Sequence, residues 1–564
     1  MPQTWKQRLE FTKSDEFDTV SFQEISSPLD EMLQLVSDYI KEMNNLDEGD
    51  EMNQTLRLIV VELRQAMKFV IRLFKLGLIK QLQRHLINHD FHKHLAQIIV
   101  LGRTDAKCRT MAAQLLCNIG TTNAQSSKRI LADIQPSVEK GAIMNHNSQL
   151  SDKNIIIERR DAWSDMIYYC GVSCNRDALA AIIASIHNCL CSLDGSSDFK
   201  THATNISQDV IFMCNLMRYI LPSSVIRENV NGTIKDQSDS ATDWTLLLIE
   251  KLSSVGFLRS MFISLGPQTS SSHLRVTPEQ IILLHCIASE VDEYSRYLHT
   301  KDAKKIHPLA GSCAKEERKE TFEFLVKKCI VLQSESDLDI ENEIDMNLSY
   351  DGEKQVLKEA SSLLLEIITN TLSTEYDPVQ SPFDDLRYSD SVVHLLRDVI
   401  LDLGTIVDRM GLENKGVNAR ELKISDEDQR HVTNAVRFVG NVCFKCTKNQ
   451  DIVRETIVPV PTESHSHVQE YTQLPLKNTT CRYARNGLHV LLSCTSFAYG
   501  CFTLREWSIV AIRNVLDGNE MNQQIVAELE AKQALDTPEL QRIGIKVELD
   551  KKGKVQVFPR NDTF

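Results

Sequence analysis

Two stretches near the C-terminus decide how the chain is read. The first is Val436-Arg437-Phe438-Val439-Gly440-Asn441-Val442, followed by Asn449-Gln450-Asp451-Ile452-Val453. The second is Ile509-Val510-Ala511-Ile512-Arg513-Asn514-Val515, followed by Asn522-Gln523-Gln524-Ile525-Val526. They superimpose at a constant offset of 73 residues. In both, an Asn is flanked by apolar residues at −5, −2 and +1, positions that share one face of a helix. Eight residues after it comes an Asn-Gln pair. That spacing predicts a helix ending a turn after the first Asn and a second helix that Asn449 or Asn522 starts as N-cap, its side-chain oxygen accepting a backbone N–H. A looser copy, Ala113-Gln114-Leu115-Leu116-Cys117-Asn118-Ile119, has Asn123 and Gln125 soon after. Asn188 and Asn370 mark still fainter ones.

Helix, short turn, helix, repeated, is the pattern of an α-solenoid, in which each unit buries its apolar face against the next. The offset of 73 exceeds one unit of ~40–47 residues. An inserted loop at 459–486 accounts for most of the excess. Working outward, helical periodicity recurs at Val392, Leu395, Leu396, Val399, Ile400 and Leu403, and upstream at Met32, Val36, Tyr39, Ile40 and Met43. Ile59, Leu63, Ala66, Met67, Val70, Ile71 and Phe74 repeat it. Alternation appears only at the end, where Ile545, Val547 and Leu549, a turn at Asp550-Lys551-Lys552-Gly553, and Val555 and Val557 suggest a short hairpin or a mobile end.

Pro222 to Asp243, Gly411 to Asp428 and Pro459 to Asn486 read as loops. Ser334 to Glu353 carries eight acidic residues and no Lys or Arg, a solvated stretch or a docking site for a basic partner. The organisation expected is an N-terminal helical-repeat region at 1–335, an acidic linker at 336–353, a C-terminal repeat domain at 354–530 and a tail at 531–564.

Composition narrows the class. Of 564 residues, 21 are Gly and 14 Pro, roughly half the ~12% of average usage, which disfavours turn-rich sandwiches, barrels and propellers. Net charge is −14, so nucleic acid is not an expected partner. No stretch nears the ~18 apolar residues of a membrane span. The first residues open no apolar run, so no signal peptide is expected. The 15 cysteines sit in apolar helical stretches, as in Cys189-Leu190-Cys191, which points to a reducing compartment, most simply the cytoplasm.

The apolar, any, Asn, apolar pattern at the end of a long helix resembles the third helix of armadillo repeats. Gly440 to Cys446 with Asn449 to Glu455, the segment Gly487-Leu488-His489-Val490-Leu491-Leu492-Ser493-Cys494, and Arg505 to Val515 closing on Asn519-Glu520-Met521-Asn522-Gln523 are similar, in order and spacing, to the C-terminal domain of the ataxin-10 family, which has fungal members. The resemblance covers the last quarter of the chain, and the insertion departs from the compact form of that domain. It implies an all-α, armadillo-like solenoid, a right-handed superhelix, that acts as a cytoplasmic interaction scaffold with other proteins as partners. It also implies homo-oligomerisation, a link to cytokinesis and cell division, and neuronal survival in animal members. Some fungal members carry a copper-transport label.

On armadillo third helices such an Asn lines the concave face, where its amide can bond an extended peptide. The partner-binding candidates are therefore Asn441, Asn514 and Arg437, with Asn118 more distant. The plainer alternative is that each Asn bonds the neighbouring repeat and locks the stack. Import-signal readers place a Trp four residues before the Asn. Here Gln114, Arg437 and Val510 stand there, so that specificity is not expected.

Arg505-Glu506-Trp507 is read as a helix start with Trp507 packed between repeats rather than as a catalytic pair. Cys443-Phe444-Lys445-Cys446 is a lone C-x-x-C. Cys170, Cys174, Cys189 and Cys191, with His187, form the densest set of soft donors, which keeps open a rival class: a copper-handling or thiol-redox protein. No G-x-x-x-x-G-K-[ST], G-x-S-x-G or H-E-x-x-H occurs. No catalytic residue, metal ligand or cofactor is assigned, and the chain is not expected to be an enzyme.

Overall fold

The computed structural model describes residues 4–12, 20–45, 54–74, 79–101, 105–121, 123–134, 162–220, 239–267, 276–297, 309, 315–337, 350–373, 384–413, 426–459, 485–495, 502–535, 545–549 and 555–559. Among these there are 22 α-helices and two short antiparallel strand pairs, so the chain is all-α. It divides into two compact units: residues 1–290 with 306–313, and residues 291–305 with 314–564.

The first unit is built from capped, amphipathic helices. Phe22–Asn44 opens on Ser21, whose amide and hydroxyl both donate to Glu24 Oε2 at 2.8 Å. It buries Met32, Val36, Tyr39, Ile40 and Met43, the periodic set. Gln54–Leu73 buries Leu63, Ala66, Met67 and Val70. Ile59, Ile71 and Phe74 are half-buried, while Leu56, Val60, Phe69 and Leu73 are buried instead, so the apolar stripe is shifted from the one the sequence suggests. Asp105 caps Ala106–Gly120 by accepting from the amides of Lys107 and Cys108. That helix packs along Arg176–Ser192, which in turn packs along Ser240–Ser254. The polar stretch expected as a loop up to Asp243 is thus helical from Ser240, with Asp239 as N-cap.

The second unit repeats the arrangement. Lys315–Asp337 packs on Tyr350–Ser373, so this helix, expected in the N-terminal region, goes with the second unit. Both extend into the acidic stretch from either side, and residues 338–349 between them lie outside the described residues. Tyr350–Ser373, Asp426–Cys443 and Phe502–Leu516 lie side by side in that order. Asp390–Glu413 packs beneath, burying Val392, Leu395, Leu396, Val399, Ile400 and Leu403. It runs three residues into the stretch read as a loop, and Asp426 already begins the next helix. Val436, Val439 and Val442 are buried as expected. Their counterpart Ile509 is 52% exposed. Among the described residues Phe502–Leu516 has a long parallel neighbour on one side only, so its −5 position has nothing to cover it.

The two copies end in the same turn. Lys445 and Gly518, again 73 apart, both take positive φ, 51° and 69°. This left-handed residue stops the helix and turns the chain into Thr447–Glu455 or Glu520–Leu535. Helices and turn, including the offset, are as the sequence predicts. The insertion is closed at its base. Ile457 pairs with Asn486 and Val458 with Arg485. Arg485 donates to the carbonyl of Gly404 at 2.8 Å and pairs with Asp408 at 2.6 Å. The body of the insertion, 460–484, lies outside the described residues. The C-terminal hairpin forms, Ile545–Leu549 against Val555–Pro559, with Val547 opposite Val557.

Candidate interaction surface

The Asn positions make a ladder. The Asn514 amide donates to the carbonyl of Gly440 at 3.0 Å, and the Asn441 amide to the carbonyl of Thr369 at 3.0 Å. In each case the acceptor is the residue just before the previous ladder Asn. The first unit keeps the register: the Asn188 amide lies 3.5 Å from Cys117 Sγ, just before Asn118. The faint copies at Asn188 and Asn370 are therefore structural members of the series. Asn118 takes part through its backbone, its carbonyl accepting from Gln83 Nε2 at 2.9 Å.

A second set of amides ties each helix end down. Asn449 Nδ2 donates to the carbonyls of Val442 and Arg387, and Asn522 Nδ2 to those of Val515 and Gln450. Both are buried, and both act as donors from inside the helix. The expected role as N-cap acceptors is therefore corrected. Asn519 accepts from the amide of Asn522 and starts that helix, and Cys446 stands at the start of the other with no side-chain cap. The reason is one of supply: a helix C-terminus leaves carbonyls that need donors, and a primary amide carries two N–H groups. Gln450 Nε2 lies within reach of the carbonyls of Cys443, Asn514 and Asp517. Gln83 repeats this in the first unit with Asn118 and, three residues on, Thr121.

Arg437 lies between its neighbours. Its Nη2 donates to Asn370 Oδ1 at 2.6 Å and its Nη1 to Asn434 Oδ1 at 3.2 Å, and its guanidinium carbon sits 5.0 Å from the Trp507 ring centre. Burial pushes its pKa down, opposed by the charges of Glu366 and Asp292. Trp507 is half-buried against Arg437 of the neighbouring helix, and Arg505 and Glu506 are exposed in the first turns of theirs. Beside Arg437 a cleft of about 290 Å³ crosses all three long helices, lined by Glu366, Gln429, Arg430, Thr433, Asn434 and Thr503. Asn434 is 4% exposed, and its Nδ2 has no hydrogen-bond partner. Sequence reasoning missed the cleft and Asn434, because nothing local marks a residue whose neighbours come from helices some 70 positions away.

Of the candidates, the structure brings Asn441, Asn514 and Arg437 together on one face and places Asn118 in the other unit. Asn441, Asn514 and Asn118 are all half-exposed. Asn441 and Asn514 each commit one N–H to the neighbouring helix and keep an amide oxygen and a second N–H.

The thiols do not converge. Cys170 and Cys189 are buried, Cys174 and Cys191 exposed, and all four are free. Among the described residues, no group of three or more facing ligand atoms contains a cysteine. Burial pushes the Cys170, Cys189 and Cys494 thiols up to about 12, and that of Cys443 well up too. This is the opposite of a reactive thiolate. Iodoacetamide at pH 8 should label Cys174 within minutes, label Cys191, whose thiol burial also pushes up, more slowly, and leave Cys189, Cys443 and Cys494 unlabelled until denaturant is added, as read by intact and peptide mass. Early labelling of Cys443 contradicts the packing.

Helices tied edge to edge by amide ladders define the class: an all-α chain with a cleft lying across a helical surface. Residues 476–558 match the family model described as the spinocerebellar ataxia type 10 protein domain. The match takes in the Gly487 and Arg505 segments and runs through the hairpin, beyond the expected limit at 530. It does not include Arg437 to Glu455. Ataxin-10 of Homo sapiens is 26% identical over 165 residues, 28% of each chain. The Ataxin-10 homolog of Dictyostelium discoideum is 24% identical over 143 residues, 25% of this chain and 18% of its own. That of Kluyveromyces lactis is 35% identical over 72 residues, 13% of each. The chain thus resembles the ataxin-10 family over part of its length and spans under a third of the relatives it matches. No solved structure matches it. No helix among the described residues is long and apolar enough to cross a membrane.

Proposed function

We propose that the chain is a non-enzymatic scaffold, an armadillo-like solenoid whose docking module, centred on residues 354–530, holds an extended segment of a partner protein across its three long helices. The cleft beside Arg437 carries this reading. A buried donor without an acceptor is costly in a folded protein unless something supplies one, and Asn434, whose Nδ2 is such a donor, is one of the residues lining the cleft. An extended peptide offers a carbonyl at regular intervals. Glu366 and Arg430 line the same cleft, the Trp507 ring stacks on Arg437 beside it, and Asn441 lies seven residues, about 10 Å, further along the helix of Asn434. Locking the stack and reading a partner are then compatible roles for the same Asn, since one N–H serves the first and leaves the rest for the second. A rigid surface loses little ordering entropy on binding.

The resemblance extends the reading to the cytoplasm, to self-association and to control of cytokinesis. Unchanged division timing in cells depleted of the protein would remove the last.

Arg430→Glu and Trp507→Ala alter the cleft and its rim without touching a ladder hydrogen bond. Each should weaken recovery of specific partners at least about tenfold, while circular dichroism and the thermal midpoint stay near wild type. Full partner recovery by folded forms of both variants sinks the proposal.

A further inference from the structure

In the first unit Asp30, His85 and His89 each offer a ligand atom, all within 4.8 Å of one another. Asp30 comes from Phe22–Asn44, His85 from the end of Ile79–Asn88, and His89 follows directly. The His89 amide donates to the His85 carbonyl at 3.2 Å, so the helical bond continues and the two imidazoles share a face one turn apart. Their ring centres are 4.5 Å apart. His85 Nε2 is 3.2 Å from Asp30 Oδ1, and the Phe22 ring meets the His85 ring edge-on at 5.7 Å. We propose that these three residues bind a divalent cation of the zinc class and clip the Phe22–Asn44 helix to the Ile79–Asn88 helix.

The donor set fits that chemistry. Two imidazole nitrogens and one carboxylate oxygen suit a borderline cation at ~2.0–2.2 Å, and they leave a fourth position for water. Small side-chain rotations bring atoms already within 4.8 Å to that radius. Burial and the neighbouring His89 push the His85 pKa down. No Lys or Arg contributes to the field at His85.

The second convergent group, Asp90, His92 and Asp133, supplies the contrast. There Lys93 pairs with both carboxylates and Arg129 reaches Asp90 at 2.8 Å and Asp133 at 3.4 Å. Its charge is already neutralised by the protein's own cations. At Asp30 the facing groups are two imidazoles, which offer lone pairs rather than a fixed positive charge.

The test is titration of the full chain, freed of metal, with zinc chloride and, in parallel, magnesium chloride. Wild type should take up one more zinc per chain than His89→Ala or Asp30→Asn, and zinc should raise the thermal midpoint of wild type more than of either variant. His89 and Asp30 are exposed, so both variants should fold. On unaltered protein, zinc should protect His85 and His89 from diethyl pyrocarbonate at least about tenfold, and magnesium should not. Equal zinc stoichiometry in wild type and variants, or modification of both histidines undiminished by zinc, overturns the proposal.

Discussion

Asn449→Ala lowers the stability of the second unit by about 3 kcal/mol, because two buried carbonyls lose their donors at once. Asn449 is fully buried, and its two N–H groups go to the carbonyl of Val442 at 2.8 Å and that of Arg387 at 3.1 Å. Val442 closes its own helix, whereas Arg387 belongs to the short 3₁₀ turn Asp384–Tyr388. One side chain therefore fastens a helix end to a separate segment 62 residues away in sequence. Alanine leaves a small void, no donor, and no path for water. Asn449→Asp should be at least as damaging, since it replaces both donors by acceptors facing two carbonyls. Asn514→Ala should cost only about 1 kcal/mol, because Asn514 is half-exposed and water can replace its single bond to Gly440. Hydrogen–deuterium exchange resolves the comparison by locating it: amides of 384–413 and 442–455 should lose protection in Asn449→Ala and keep it in Asn514→Ala. Equal, small effects of the two substitutions would mean that burial of the amide carries no weight.

Gly487→Ala should be nearly as severe, for a steric reason. A Cβ at Gly487 would stand 2.6 Å from the carbonyl oxygen of Val453, 3.0 Å from its Cγ1 and 3.1 Å from Ile400 Cγ2. The oxygen belongs to the backbone of Thr447–Glu455 and cannot rotate away. The Gly487 amide meanwhile donates to the carbonyl of Thr456 at 3.2 Å, which holds the chain where the collision occurs. Relief requires moving Gly487–Cys494 off its neighbours, and overpacking of this kind costs about 2–3 kcal/mol. The thermal midpoint of the second unit should fall by about 6 °C at ~2–4 °C per kcal/mol. Gly518→Ala separates sterics from backbone freedom. Gly518 has φ +69° with nothing within 4 Å of a built Cβ, so only the left-handed conformation is penalised, at about 1 kcal/mol. Lys445 already accepts that penalty at the same place in the other copy. A Gly487→Ala protein no less stable than Gly518→Ala would show that the close approach is relieved without cost.

Much of this was legible beforehand, and its limits are physical. The stripe Val392 to Leu403 is buried residue for residue, because a helix period is a local property and a core accepts whichever face is apolar. The Asn-Gln pairs were legible as helix-end signals, but the direction of their hydrogen bonds was not. An amide can accept or donate, and the choice is made by which groups of the next helix lack a partner. Loop limits at Asp243, Gly411 and Asp428 were misplaced by a few residues because polar residues at helix ends read like turns. Asn434 was not singled out at all. Its interest comes from an absent partner, and absence has no sequence pattern.

The order of residues alone determined the helical class, the 73-residue correspondence, a helix end soon after each Asn, and the partial resemblance to the ataxin-10 family. These follow from spacing along one chain, where periodicity and turn chemistry act over a few residues. Only the tertiary structure decided that Asn441 and Asn514 spend an N–H on carbonyls 72 and 74 residues away, that Arg437 rests between Asn370 and Trp507, and that a cleft opens beside them. Each of those outcomes depends on which backbone groups and rings neighbouring helices bring within about 3 to 5 Å, and packing sets that choice.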